Sequence, residues 1–325
     1  MANAAPLAVL LAFAAGCAAA AADEPKPDEF KAVAKDPARE KALASLRARI
    51  TEILKPVSGV TSIWFKDLGT GDMLTLRPDR PQHPASTIKT PIMAAVLRDV
   101  EAGKYDLDRE IPVHDTFPSA IDGSLFKTDG GEEILKAVGK TMKLRRVIEH
   151  MIHTSDNLAT NLCTETAGGA KAVSAALKEL GMKSTVVARY ITDQKAYNAG
   201  LSSTTTAADM GDLYERISRK QVVSPKACDT MIEILLGQEH NRQIPAGLPA
   251  GTKVAHKTGW FRENTSTMQD DAIVFLGDRT YVLSIKMAET KSGDEEDDKA
   301  RKAQVEISKA VYEELFAKPA DAAKQ

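Results

Sequence analysis

The apolar positions of this chain change period twice, and the changes divide it into three parts. Leu43, Leu46, Ile50 and Leu54 keep helical spacing until Pro56 ends the run, so a helix comes first. Residues 60–65 and 73–76 are short, apolar and β-branched, and Asp67-Leu68-Gly69-Thr70-Gly71-Asp72 between them predicts a β-hairpin. Helical spacing returns at Ile88, Ile92, Met93, Val96, Leu97 and Val100, and again over residues 144–152, 158–166, 171–180, 207–217 and 225–236. The middle is therefore expected to be helical. Two stretches interrupt it: residues 103–131, rich in Gly, Asp and Pro, and residues 189–206, a loop of the length that compact domains keep for function. Strand-like runs at 253–258, 272–276 and 281–287, the last two joined by Gly277-Asp278, predict an antiparallel meander. A helix over 305–315 follows an acidic tract, 294–298, that reads as a solvated loop.

The predicted class is α/β in the α+β sense. One antiparallel sheet is assembled from both chain ends (57–77 and 252–288) and flanked by helices, with an all-helical lobe of about residues 86–236 inserted. Length and composition agree: 325 residues, 43% hydrophobic and 27% charged, suit one large soluble domain or two modest ones. A net charge of −2 leaves no basic footprint, so nucleic acid is excluded as a partner. Residues 1–22 lack charged side chains and carry a short apolar run at 7–15, which predicts a secretory signal peptide and periplasmic or secreted protein, not a membrane span. Cys17 in Ala14-Ala15-Gly16-Cys17 is an alternative lipid-anchor site. A flexible linker over 23–37, a folded domain over 38–318 and a tail over 319–325 complete the expected organisation, as a monomer. Cys163 and Cys228 fall in apolar helical patterns and are expected as buried free thiols.

Candidate chemistry centres on Ser86-Thr87-Ile88-Lys89, at the front of a helical run. A serine and a lysine three apart share one helix face, which lets the amine take the hydroxyl's proton; Ser86 is then a nucleophile. The free N–H groups of a helix start would stabilise charge on an attacked carbonyl oxygen. The spacing alone is weak, since Ser124-Leu125-Phe126-Lys127 repeats it in a Gly/Asp-rich stretch read as loop. His150 and His153, three apart beside Glu149 and Asp156, lack a third ligand at matching spacing and read as surface or packing histidines. His256 should face away from Lys257 on a strand, and Trp260 and Phe261 are equally readable as site wall or as packing. No metal or organic cofactor is implied.

Two further motifs follow Ser86 in order: Ser155-Asp156-Asn157 on a turn between helices, and Lys257-Thr258-Gly259 at the end of a strand. Together the three form the set described for class A β-lactamases and penicillin-binding proteins. The chain resembles the class A β-lactamase family over roughly residues 39–315, with further likeness at Val100-Glu101-Ala102-Gly103, Leu107-Asp108-Arg109-Glu110-Ile111, Asn161-Leu162, Gly168-Gly169 and Thr204-Thr205-Thr206. The resemblance implies Ser86 as nucleophile, Lys89 as base or relay and Ser155 as the hydroxyl that passes a proton to the leaving nitrogen. It implies Asn157 on the substrate's side-chain amide, Lys257 and Thr258 on its carboxylate, and the backbone N–H groups of Ser86 and Trp260, just after Gly259, as oxyanion hole. Asn161 is expected to be structural.

One departure bears on function. Counting from Ser155 through Gly168-Gly169 and Gly181 without gaps puts Ile191 where the family carries its deacylating glutamate, and no glutamate lies between Lys183 and Thr206. Asp193 is the candidate substitute base, and Asn198 loosely resembles the loop's usual asparagine. The expected activity is acylation by β-lactams with slow hydrolysis. The alternatives are a D-alanyl-D-alanine peptidase acting on cell-wall peptides and, third, a β-lactam receptor or sensor.

Overall fold

In the computed structural model, residue 26 and residues 29–317 are described. The expected signal peptide, Cys17, the start of the linker and the tail over 319–325 lie outside them. A strand, β1 (Phe30–Val33), runs through what reads as linker, and it pairs with β3 (Met73–Leu76). Glu29 holds its start in place, taking Arg77 Nε at 2.9 Å and Nη2 at 2.6 Å. The folded unit thus begins before Ala38. Helix α1 (Pro37–Leu54) follows, with Asp36 as N-cap accepting from the Arg39 N–H and Pro37 at its first position.

The sheet has six antiparallel strands in the order β1, β3, β2 (Val60–Asp67), β10 (Arg279–Lys291), β9 (Thr265–Leu276), β8 (Lys253–Arg262). Strands from the two chain ends meet where β10 pairs with β2. Period-two alternation splits each strand between two cores. Ile63, Phe65, Leu283, Ile285 and Met287 pack with Leu43, Leu46 and Ile50 of α1 and with Ile307, Val311 and Leu315 of the closing helix α10 (Asp294–Leu315). Trp64, Ile273 and Val282 point the other way, into the helical lobe. There α8 (Ala207–Ser218) lies directly on β2 at Gly211, where an added Cβ would come within 2.4 Å of the Trp64 ring. The acidic tract expected as a loop is the first turn of α10, a placement the helix dipole favours.

At the centre of the lobe, α2 (Lys89–Glu101) is buried on nearly every side, and Thr90 Oγ1 meets Tyr214 Oη at 2.9 Å. Between α2 and the other helices, the chain forms two ribbons, β4 (Glu110–Pro112) with β7 (Thr141–Lys143) and β5 (Thr116–Pro118) with β6 (Leu125–Lys127), and the short α3 (Glu132–Leu135). The last three residues of the second Ser-x-x-Lys spacing therefore form a strand, with Ser124 in the loop just before it. Its residues part company: Ser124 bonds Asp122 and Lys127 pairs with Asp115. Helices α4 (Leu144–His153), α5 (Asn157–Thr166), α6 (Ala170–Glu179), α7 (Gln194–Asn198) and α9 (Pro225–Leu236) complete the lobe, with Cys163 and Cys228 free and buried. No helix among the described residues is long and apolar enough to cross a membrane.

Candidate active site

Ser86 sits in a 3₁₀ turn, Ala85–Ile88, that leads directly into α2. Ala85 before it holds φ +44°, a left-handed conformation that costs a non-glycine residue about 1–3 kcal/mol and persists only when the surroundings enforce it. They do so from two sides. The Ala85 N–H donates to His83 Nδ1 at 3.1 Å, and Gln269 from β9 reaches under the turn. Its Nε2 donates to the His83 carbonyl at 2.6 Å, while its Oε1 accepts from Thr87 Oγ1 and from buried Lys286, each at 3.1 Å. Lys286 is held by Asp271 at 3.0 Å. His83, Thr87, Gln269 and Lys286 carry no pattern in the sequence that marks them, because each acts through a partner remote in the chain.

Strand β8 closes on this turn. At Gly259 an added Cβ would lie 3.0 Å from the backbone nitrogens of both Ser86 and Thr87, so only glycine lets the strand approach this closely. Trp260 follows directly on Gly259 in the strand. Thr258, Gly259, Trp260 and Arg262 of β8 line a cleft of about 720 Å³ together with Ser86, Ser155 and Asn157.

Beneath the cleft floor lie two lysines. Lys89 is fully buried, its Nζ 2.6 Å from the Ser155 carbonyl, 2.9 Å from Asn157 Oδ1 and 3.1 Å from Ser155 Oγ. Burial, reinforced by the Lys257 charge and opposed by Asp156, holds the affinity of this amine for a proton well below that of an ordinary lysine. Lys257, equally buried, donates to the Thr258 carbonyl at 3.0 Å, and burial lowers its pKa to about 7 against the pull of Asp270. Ser155 has φ +60°, a second strained residue at the site. Asp156 beside it caps α5 through Ala159 N–H at 2.7 Å and also accepts from the Gly131 N–H, so the middle residue of Ser-Asp-Asn is a clamp. His256 does face away from Lys257, bonded to Asp270 and Asn241 at 2.9 Å each.

The long loop differs from expectation. It carries the short helix α7, and Asp193 is the buried N-cap. Its carboxylate accepts from Ser119 Oγ at 3.0 Å and from the N–H groups of Ala120 at 2.8 Å and Ala196 at 3.0 Å. Such a committed group is no free base, and no residue of 189–206 lines the cleft. Asn161, fully buried, grips Ile191 by both backbone groups, donating to its carbonyl at 3.0 Å and accepting its N–H at 2.8 Å. Asn198 is exposed and bonds Gln194. Trp260 is site wall, 55% exposed, with its indole N–H donating to Asp297 at 2.9 Å.

Residues 45–315 match the beta-lactamase enzyme family. Among solved structures, an ancestral class A β-lactamase reconstructed for the last common ancestor of Gram-negative bacteria is 27% identical, with 82% of this chain and 99% of that one covered at a TM-score of 0.71. PBP-A is 25% identical, covering 83% of this chain and 96% of its own, also at 0.71. A β-lactamase from Xanthomonas campestris, 22% identical over 84% and 98% of the two chains, shares the fold at 0.72.

Proposed function

Because the chain belongs to the β-lactamase enzyme family, a family of serine hydrolases, we propose that it is an exported enzyme that forms an acyl-enzyme with β-lactams through Ser86 and hydrolyses it slowly. The observation that carries the reading is the placement of Lys89: a fully buried amine one helical turn from Ser86, within hydrogen-bond distance of Ser155 and Asn157, where burial favours its neutral form. Lys89 takes the Ser86 hydroxyl proton as Oγ bonds to the lactam carbonyl carbon, and the carbonyl electron pair moves onto oxygen. The N–H groups of Ser86 and Trp260 receive that charge. Collapse restores the carbonyl and breaks the C–N bond, and the proton reaches the departing nitrogen through Ser155 Oγ. Asn157 receives the substrate's side-chain amide, while Lys257 and Thr258 attract its carboxylate.

Slow release rests on what lines the cleft. A water needs a base within hydrogen-bond reach to attack the ester. Ile191 cannot serve, and the Asp193 carboxylate has three donors of its own. The same observation favours a second reading, a D-alanyl-D-alanine peptidase of the penicillin-binding kind, with PBP-A among the similar structures. The apolar, uncharged start of the chain supports export.

The test is intact-mass spectrometry with benzylpenicillin and a chromogenic cephalosporin, followed from minutes to hours beside Ser86→Ala. A persistent adduct is expected on the wild type and none on the variant. Rapid turnover without an adduct would overturn slow release, and no reaction at all would overturn β-lactam chemistry.

A further inference from the structure

One wall of the cleft is built by an arrangement of side chains that the acylation chemistry does not use. Trp260 projects from β8, over half exposed, yet its ring is held at two points. Its Nε1–H donates to Asp297 Oδ2 at 2.9 Å, and the Arg262 guanidinium lies 5.4 Å from the ring centroid. Arg262 is itself fixed, its Nε donating to the same Asp297 oxygen at 3.0 Å and its Nη2 to Asp294 at 2.7 Å. Asp297 is 3% exposed and sits in the first turn of α10, so it does not move independently of the fold. An exposed aromatic side chain ordinarily exchanges rotamers within nanoseconds. This one is tied to a buried carboxylate and stacked under a paired cation.

We propose that Trp260 is a specificity-determining residue, an indole wall that Asp297 and Arg262 clamp so that the cleft admits acyl donors by the bulk they carry on that side. Asp297 and Arg262 are positioning residues: they act through the indole and touch no reacting atom. A free indole would swing to accommodate a bulky substituent, whereas a clamped one offers its face to flat groups and its edge as a barrier to branched ones. The assignment rests on the cleft being the acylation site, but the clamp itself does not.

Two measurements test it. The chain has two tryptophans, and Trp64 is 7% exposed, so Trp64→Phe leaves Trp260 as the indole emitter; if that variant does not fold, Trp260→Phe supplies the Trp64 background to subtract. Time-resolved anisotropy of the clamped indole is expected to decay only with overall tumbling, and Asp297→Ala or Arg262→Ala to add a fast local component. Fast motion already present in the wild type, or none added by either variant, would overturn the clamp. The second measurement is the ratio of acylation rate constants for benzylpenicillin and a cephalosporin with a bulky leaving-side substituent. Trp260→Ala and Asp297→Ala are expected to shift that ratio about tenfold toward the bulky compound, with Trp260→Phe in between. Equal scaling of both compounds in every variant would overturn the role in specificity. No acylation of the wild type by either compound would overturn that role together with the reading of Ser86, and the anisotropy result would show that the clamp stands apart from it.

Discussion

Gly259→Ala isolates the contact between β8 and the nucleophile turn. The new Cβ would meet the backbone nitrogens of Ser86 and Thr87 at 3.0 Å and the Ala85 Cβ at 3.1 Å. Relaxed contacts lie near 3.5 Å, so strand and turn must separate by about half an ångström. None of those atoms ends a flexible side chain, so the backbones themselves must give. The backbone angle at Gly259 is one that alanine also adopts, so the effect is steric. Overpacking costs about 1–3 kcal/mol of stability. Function should lose more. The two N–H groups assigned to the oxyanion must sit 2.7–3.1 Å from one atom, and losing a donor costs about 10²–10³ in rate. Half an ångström of splay weakens one donor without removing it, which predicts acylation slower by roughly 10–100-fold, or about 1.4–2.7 kcal/mol of barrier. Quenched-flow mass spectrometry with benzylpenicillin gives the acylation rate, and thermal unfolding shows that the variant is folded. A folded Gly259→Ala that acylates within twofold of wild type would refute the placement of the oxyanion hole between these backbones.

Four other expectations follow from the same geometry. Lys257, with a pKa of about 7, is cationic below that pH and neutral above it, so acylation by carboxylate-bearing β-lactams should fall as pH rises through 7 while Lys257→Arg keeps its rate to higher pH; parallel pH–rate profiles would refute this. Since its folded pKa lies below the unfolded value near 10.4, the native state binds fewer protons between those values, and stability gains from this group as pH rises across that window; the unfolding advantage of Lys257→Met should therefore shrink from pH 7.5 to 10. Asp193→Ala should lower stability by about 1–3 kcal/mol, through a lost cap and stranded donors, and leave the decay of the adduct unchanged; a tenfold slower decay would restore Asp193 as base. Gln269→Met, which removes the donor to the His83 carbonyl and one acceptor each of Thr87 and Lys286, should reduce both melting temperature and acylation rate, and an unchanged acylation rate would show that the Ser86 turn holds itself.

Period and punctuation made most of the architecture legible. The meander was announced by its alternation and by Gly277-Asp278, and α1 by Leu43, Leu46, Ile50 and Leu54 running up to Pro56. The failures have a common cause. β1 is four residues long with one buried side chain, Phe30, so its pattern is too short to separate from linker, and its stability comes from pairing with β3 and from the Glu29–Arg77 pair. The tract 294–298 looks solvated by charge, yet Asp297 is buried because Trp260 and Arg262, more than 30 residues away, supply its donors. β9 starts at Thr265, where Gln269, Asp270 and Asp271 break the apolar run that defines a strand in sequence. In the fold those residues clamp the nucleophile turn, His256 and Lys286. Polar side chains that serve as internal anchors read, in one dimension, as surface.

The site divides along the same line. Ser86, Lys89, Ser155, Asn157 and Lys257 were legible because their spacing repeats a known set, and the fold brings Ser86, Ser155 and Asn157 to one cleft with Lys89 and Lys257 buried beneath it. What spacing cannot convey is burial, and burial is what gives these residue types their chemistry. An exposed Lys89 would be a cation at neutral pH and no base; sealed beneath Ser155 and Asn157, with Lys257 nearby, it is pushed toward the neutral amine. Two buried lysines at one site are a cost to folding that packing with apolar residues of similar size would remove. Strain at Ala85 and Ser155 adds to it. Under the proposed acyl-transfer chemistry these costs fall together beside the cleft that Ser86 lines, and with the Asp193 carboxylate engaged by three donors, release of the acyl group is the step proposed to be slow.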